Sequence, residues 1–170
     1  MFERLKVISG GDANYFELLK ELALSIREQP GGESIDVAFL DGGLLPDQIS
    51  FFNSLNIEVV DPGWRHPEAK KRNSGKEYLK VEIAKVHMDQ IFPESDILVW
   101  VDADAWLQNF RAFELFEMVA AKNKFAIVAQ ASRLHQKHLS FRPLFGKWVE
   151  LRNILYKNAR RAGLPKKIVN

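Results

Sequence analysis

No cysteine occurs anywhere in the 170 residues, which excludes disulfides and thiolate metal sites. No stretch reaches the ~18 uninterrupted apolar residues of a membrane-spanning helix. The opening MFERLKVISGG mixes acid and base ahead of a short apolar run, which is not a signal-peptide pattern. Internal repeats and low-complexity tracts are also missing. These absences fit a reducing, cytoplasmic location. What is present is 46% apolar residues, enough for this length to bury a core as one domain.

Charge is nearly balanced overall, at +2, but not along the chain. Residues 146–170 carry Lys147, Arg152, Lys157, Arg160, Arg161, Lys166 and Lys167 against Glu150 alone, a local +6. The rest holds 17 basic and 21 acidic residues, or −4. A basic terminal segment suits phosphates or an anionic membrane, and equally a solvated helix face. The reading taken is possible peripheral membrane contact through this segment, with no nucleic-acid partner.

The order of elements points to an α/β fold. Leu5–Ser9 reads as a strand closed by Gly10-Gly11-Asp12, and Asp12 suits a helix N-cap. Tyr15, Phe16, Leu19, Leu22, Ala23 and Ile26 recur at helical spacing until Pro30-Gly31-Gly32 stops them. Ile35–Leu40 is a second strand, Pro46–Leu55 a short helix and Ile57–Val60 a third strand. This β-α-β-α-β order predicts a Rossmann-like, doubly wound, mainly parallel sheet. Residues 61–76, DPGWRHPEAKKRNSGK, lack periodicity and read as a loop with a basic cluster. Glu77–Phe92 reads as one helix with Leu79, Ile83 and Val86 on one face and Lys85 supporting Asp89. Asn109 is placed to cap a helix burying Phe113, Phe116, Val119 and Ala120. A fifth strand is expected at Phe125–Ala129 and a last helix at Lys147–Arg161.

The most hydrophobic strand ends abruptly: Ile97-Leu-Val-Trp-Val-Asp-Ala-Asp-Ala-Trp106 runs five apolar residues into two carboxylates. The run suits a strand buried on both faces. In an extended chain Asp102 and Asp104 share a side, at the strand end where open α/β sheets bind ligands. Paired carboxylates resist joint ionisation unless a cation compensates, and a divalent metal is the simplest one. A solvated turn is the plainer alternative.

Three features in order, KVISGGD entering a helix, YLKVEIAKVHMDQIFPESDILVWVDADAWLQN, and the helix and strand after it, resemble the nucleotide-sugar glycosyltransferases of the GT-A fold. The resemblance is nearest to glycosyltransferase family 8 and its relatives, and covers roughly residues 3–130. It implies a nucleotide-sugar-binding core over 1–130, with 131–170 as a basic loop and helix continuing the same domain. It implies transfer of a sugar from a nucleoside-diphosphate sugar, a UDP-sugar first of all, to a sugar, lipid or protein acceptor that the sequence does not identify. Mn²⁺ or Mg²⁺ would neutralise the departing diphosphate as a Lewis acid. Asp104 would coordinate the metal, and Asp102 would share it or hold the ribose. Gly10 would let the backbone approach the nucleoside, Asp12 or Asp41 would accept from its base, and Lys76 or Lys80 would contact phosphate. Gly10 also suits an ordinary tight turn. Trp64, Trp106 and Trp148 are candidate sugar-stacking residues, though packing explains them as well.

The family's remote histidine ligand has no counterpart here, and His135 and His138 read as surface residues. The chain is therefore expected to be a donor-binding half that transfers poorly by itself and self-associates. Two rivals remain open. A catalytically silent nucleotide-binding or assembly module would keep the fold without turnover. A phosphotransferase of the haloacid dehalogenase type also places Asp-x-Asp after an apolar strand, but usually on the first strand of the chain and not followed by Ala105-Trp106.

Overall fold

A computed structural model of the chain describes residues 5–73, 75–122, 124 and 126, together with the backbone of 141–144 and 147–150. Four strands, β1 (Leu5–Gly11), β2 (Asp36–Asp41), β3 (Glu58–Val60) and β4 (Ile97–Trp100), form one sheet. Its order is β3-β2-β1-β4 and every pairing in it is parallel. Helices α1 (Phe16–Arg27), α2 (Pro46–Ser54), α3 (Pro67–Arg72), α4 (Tyr78–Ala84), α5 (Met88–Ile91) and α6 (Arg111–Ala120) connect and flank it.

Side-chain alternation along β1 and β2 divides the core between two faces. Leu5, Val7, Val37 and Phe39 join Leu19, Leu22 and Ile26 of α1, Phe52 of α2 and Phe113 of α6 in the larger cluster. Ile8, Ala38 and Leu40 meet Val81 and Ala84 of α4, and Phe92, on the other. An apolar layer on each face is why these strands read as near-continuous hydrophobic runs. The chain is thus an α/β protein with a parallel sheet between helices. Among the described residues no helix is long and apolar enough to cross a membrane.

Two polar devices close the edge where the strands begin. The Lys6 ammonium, almost fully buried, lies 3.0 Å from Asp36, 3.6 Å from Glu58 and 3.7 Å from Glu94. It also sits 4.8 Å from the Phe92 ring centroid. Arg27, in the last turn of α1, donates to the carbonyls of Leu55, Gly32, Ile35 and Asn56 at 2.6–2.9 Å. Burial lowers its pKa, against the opposing pull of Asp36 and Glu33.

Several expectations need correction. The 61–76 stretch is not all loop: Pro67 at the first helical position starts α3, which buries Ala69 against Ile83 and Trp64. Glu77–Phe92 is not one helix. It breaks at Lys85–His87 into a tighter 3-10 turn between α4 and α5. The break rotates the face, leaving Val86 73% exposed, and Lys85 pairs with Glu82 and Asp102 rather than Asp89. β4 buries only Val99 fully, because it is the end strand of the described sheet. Lys147–Glu150 is a strand, β6, antiparallel to β5 (Phe141–Leu144), not the start of a helix. Trp148 and Val149 favour extended chain, and Phe145-Gly146 leaves only two residues between the pair. The expected strand Phe125–Ala129, apart from Ala126, lies outside the described residues, as do His135, His138 and the remainder of the last helix.

Candidate functional site

Parallel strands deliver their carboxyl ends to one edge of the sheet, and there a cleft of about 360 Å³ opens between β1, β4 and α4. Gly10, Gly11, Asp12 and Tyr15 line it at and beyond the end of β1, and Trp100, Asp102, Ala103 and Asp104 at and beyond the end of β4. Tyr78, Val81 and Glu82 of α4, and Lys85 opening the 3-10 turn after it, complete the lining. Spacings of three, four and seven residues from Tyr78 bring these positions to one side.

Asp102 and Asp104 do not continue the strand. β4 ends at Trp100, and the Ala105 N–H donates to the Asp102 carbonyl at 2.9 Å, closing a turn around the two acids. Period-two alternation therefore does not set their directions, yet both still reach the cleft. Leu107 fixes the chain just beyond them: its side chain is buried, and its N–H donates to Ser25 Oγ of α1 at 3.1 Å.

Asp102 is held by its neighbours. The Trp100 indole N–H donates to Asp102 Oδ1 at 2.7 Å, and Lys85 Nζ lies 3.5 Å from the same oxygen. Lys85 also sits 3.2 Å from Glu82 and 4.5 Å from the Trp100 ring centroid, a cation–π distance. Asp104 is exposed and has no cation beside it among the described residues. Among the described residues the cleft thus gathers four carboxylates, Asp12, Glu82, Asp102 and Asp104, against the single ammonium of Lys85. Such a surplus attracts cations and repels a bare polyanion.

Three other predicted residues, Asp41, Lys80 and Lys76, are not among those lining the cleft. Asp41 Oδ1 accepts from the N–H groups of Gly43 and Leu44 at 2.7 and 2.8 Å, shaping the turn after β2. Lys80 is buried and pairs with Asp61 at 2.9 Å. Partial burial alone would raise the Asp61 carboxyl, but the Gly63 N–H and the Lys80 ammonium outweigh it and hold it below the usual range. Lys76 is exposed in the connection before α4. Gly10 and Asp12 do line the cleft, each with a structural duty besides. A Cβ on Gly10 would stand 2.7 Å from the Leu40 carbonyl oxygen and 2.9 Å from Val81, so the sheet and α4 could not close as they do. Asp12 accepts from the Asn14 backbone at 2.9 Å, capping the 3-10 turn Ala13–Tyr15.

Of the candidate tryptophans, Trp64 packs on Ala69 and Ile83 and donates to Glu77, whereas Trp106 is exposed. The Trp148 side chain lies outside what the structure describes. Sequence reasoning missed Lys85, Glu82, Tyr78, Tyr15 and Trp100. The helical spacing of Tyr78, Val81, Glu82 and Lys85 was the available signal, hidden by treating 77–92 as one helix with its apolar face elsewhere.

Asp102 and Asp104, side by side in one turn, suit a hard cation that keeps waters and takes the rest of its oxygens from a phosphate-bearing ligand. Among the described residues no three His, Cys, Asp or Glu side chains gather into an all-protein metal cage. Comparison of the chain with protein-family models, with curated proteins and with solved structures finds no match.

Proposed function

We propose that the chain is a nucleotide-sugar-binding α/β domain of the GT-A type, acting in metal-dependent sugar transfer from a nucleoside-diphosphate sugar. The observation that carries this reading is the convergence of Gly10, Asp12, Asp102 and Asp104 on one cleft at the carboxyl ends of β1 and β4. The sheet order β3-β2-β1-β4 supports it, since nucleotides bind outside the carboxyl ends of such strands.

Each residue then has a role. Asp104 and the Asp102 oxygen not taken by Trp100 and Lys85 would hold Mn²⁺ or Mg²⁺, which would supply Lewis-acid neutralisation of a diphosphate. Trp100 and Lys85 keep the Asp102 carboxylate in one orientation, so no reorganisation is needed at the moment of binding. Tyr15 and Tyr78 offer ring faces to a base or sugar. The surplus of carboxylates makes binding of a nucleotide sugar without a divalent ion unfavourable.

The test is calorimetry of UDP-glucose and UDP-galactose with the 170-residue chain, with and without Mn²⁺. Binding only when both are present is the expected result, and absence of any metal-dependent binding overturns the reading. A nucleotide-binding module without turnover is the second reading, since the same cleft would bind the donor whether or not a sugar is then transferred. Metal-dependent binding with no release of sugar over hours would select it.

A further inference from the structure

The cations of this protein are treated in two ways. Lys6, Lys20, Lys80 and Lys85 are each ion-paired, and Arg27 is tied to four carbonyls. Arg111, Lys122 and Lys124 are also exposed without an ion pair among the described residues, but the connection from β3 to α4 concentrates such cations. Arg65, Lys70, Lys71, Arg72 and Lys76 are all exposed there, and none forms an ion pair among the described residues. Glu68 is the only acid between 65 and 76, leaving a local +4.

This connection is folded rather than slack. Ala69 of α3 is fully buried beside Ile83 and Trp64. Asn73 is buried too and donates from Nδ2 to the Ala69 carbonyl at 2.9 Å. The Asp61–Lys80 pair anchors the segment's start to α4. Like charges held close in fixed positions repel one another, and an anionic partner relieves that repulsion.

The same rim of the sheet carries exposed apolar side chains. Tyr15 follows β1, Leu45 follows β2, Tyr78 opens α4, and Trp106, 69% exposed, follows β4. With four strands about 4.8 Å apart, the row extends roughly 14 Å across the sheet end. The cationic connection leaves the carboxyl end of β3, one end strand of the described sheet, and Trp106 follows β4, the other.

That arrangement discriminates between anionic partners. A nucleic-acid strand tracks a basic groove and stacks its bases on aromatics along it. Here the acidic cleft opens at the same sheet edge from which the cationic connection and the Trp106 loop leave, and its carboxylates repel a phosphate backbone. A bilayer surface touches both sides without entering the cleft. Tryptophan and tyrosine favour the headgroup level of a membrane, and lysine and arginine favour anionic lipid.

We propose that this rim docks on an anionic membrane surface. Arg65, Lys70, Lys71, Arg72 and Lys76 meet the headgroup phosphates, and Trp106 and Leu45 seat at the interface. The cleft then opens toward the headgroup layer. This inference does not depend on sugar transfer, and it concerns a different segment from the basic chain end.

The test is co-sedimentation of the full 170-residue chain with vesicles of phosphatidylcholine alone and of phosphatidylcholine with one-third phosphatidylglycerol. Binding to the anionic vesicles only, weakening steeply as salt is raised, is expected. Lys70→Gln, Lys71→Gln and Arg72→Gln together should weaken it about a hundred-fold, roughly five-fold per charge. The same neutralisation at Lys157, Arg160 and Arg161 should weaken it less. Trp106→Phe should remove most of the blue shift in tryptophan emission on binding. Because the three α3 positions are exposed, the melting temperature of the triple variant should match wild type, and the salt series on wild type stands independently of any variant. The proposal is overturned if wild type ignores anionic vesicles or if the α3 variant binds like wild type. It is also overturned if the chain binds oligouridylate RNA more tightly than vesicles through the same cations.

Discussion

The two ends of the parallel sheet use the same ingredients, a lysine among several acids, to opposite effect. At the amino edge, Lys6 is buried and is reached by acids from three separate places: Asp36 opening β2, Glu58 opening β3, and Glu94 just before β4. Phe92 lies beside it. At the carboxyl edge, Lys85 is nearly a third exposed and is reached by Glu82 of its own helix and by Asp102, while Asp104 has no cation at all among the described residues. The first arrangement ties strand ends together around a buried ammonium. The second leaves carboxylates facing an open cleft. What separates a clasp from a site is whether the cation is enclosed by its acids or stands to one side of them.

Asp104→Asn should separate the two ends most sharply. It keeps the shape and removes the charge a hard cation needs, so Mn²⁺-dependent binding of a UDP-sugar should weaken by at least about a hundred-fold in calorimetry. The melting temperature should hold or rise, since a neighbouring carboxylate loses a repulsive partner. Equal affinity in mutant and wild type would take the metal role from Asp104.

Lys6→Met should do the reverse. Methionine keeps the packing on Phe92 but removes the ammonium among three acids. Because those acids are more than half exposed and stay hydrated, the loss should be below that of a fully enclosed pair, about 2 kcal/mol in urea unfolding. Binding at the cleft should be unchanged. A loss of binding with intact stability would mean the two ends are not separable.

Alkaline pH probes the same clasp more gently. Burial alone would lower the Lys6 pKa, but the hydrogen bond and charge of Asp36, with Glu58 and Glu94 behind it, raise it above 10.5. A group with a higher pKa in the folded chain contributes stability that is complete below its unfolded value and is lost as pH climbs through its folded one. Urea midpoints should therefore fall above pH 10.5 in wild type more steeply than in Lys6→Met. Parallel curves would assign the alkaline loss to other groups.

Trp100→Phe should have the smallest effect. The ring remains for Lys85, and only the N–H to Asp102 disappears, so metal-dependent affinity should drop by less than about ten-fold. A larger drop would make the indole, rather than Lys85, the main support of the Asp102 carboxylate.

Much of this was legible from the residues themselves. Alternation in β1 and β2 is hard to misread, because a one-residue slip would send Val7, Val37 and Phe39 to the other face. Asp102 and Asp104 were found from an apolar run ending in acids, although a turn and not an extended strand brings them to the cleft. The charged partners were not legible. Lys80 and Lys85 are five residues apart on what read as one helix, yet one is buried against Asp61 and the other faces Asp102. Nothing local distinguishes them, since the choice depends on where β3 and β4 end in space. The bend at Lys85–His87 was equally silent: no proline or glycine marks it, and packing of Met88, Ile91 and Phe92 beneath the sheet overrides helix propensity there.

Arg27 has a consequence for the order of folding events. Its guanidinium is satisfied by carbonyls on either side of β2, and two of them, at Leu55 and Asn56, lie 28 and 29 residues further along the chain. No partial structure of α1 and its own turn can complete that set. The contacts should therefore form after the transition state, where they act as a latch on the finished molecule rather than a nucleus for it. In a chevron series, Arg27→Met should steepen escape from the native state while leaving the refolding limb almost where it was. This one side chain then governs how long the protein stays folded more than how fast it gets there.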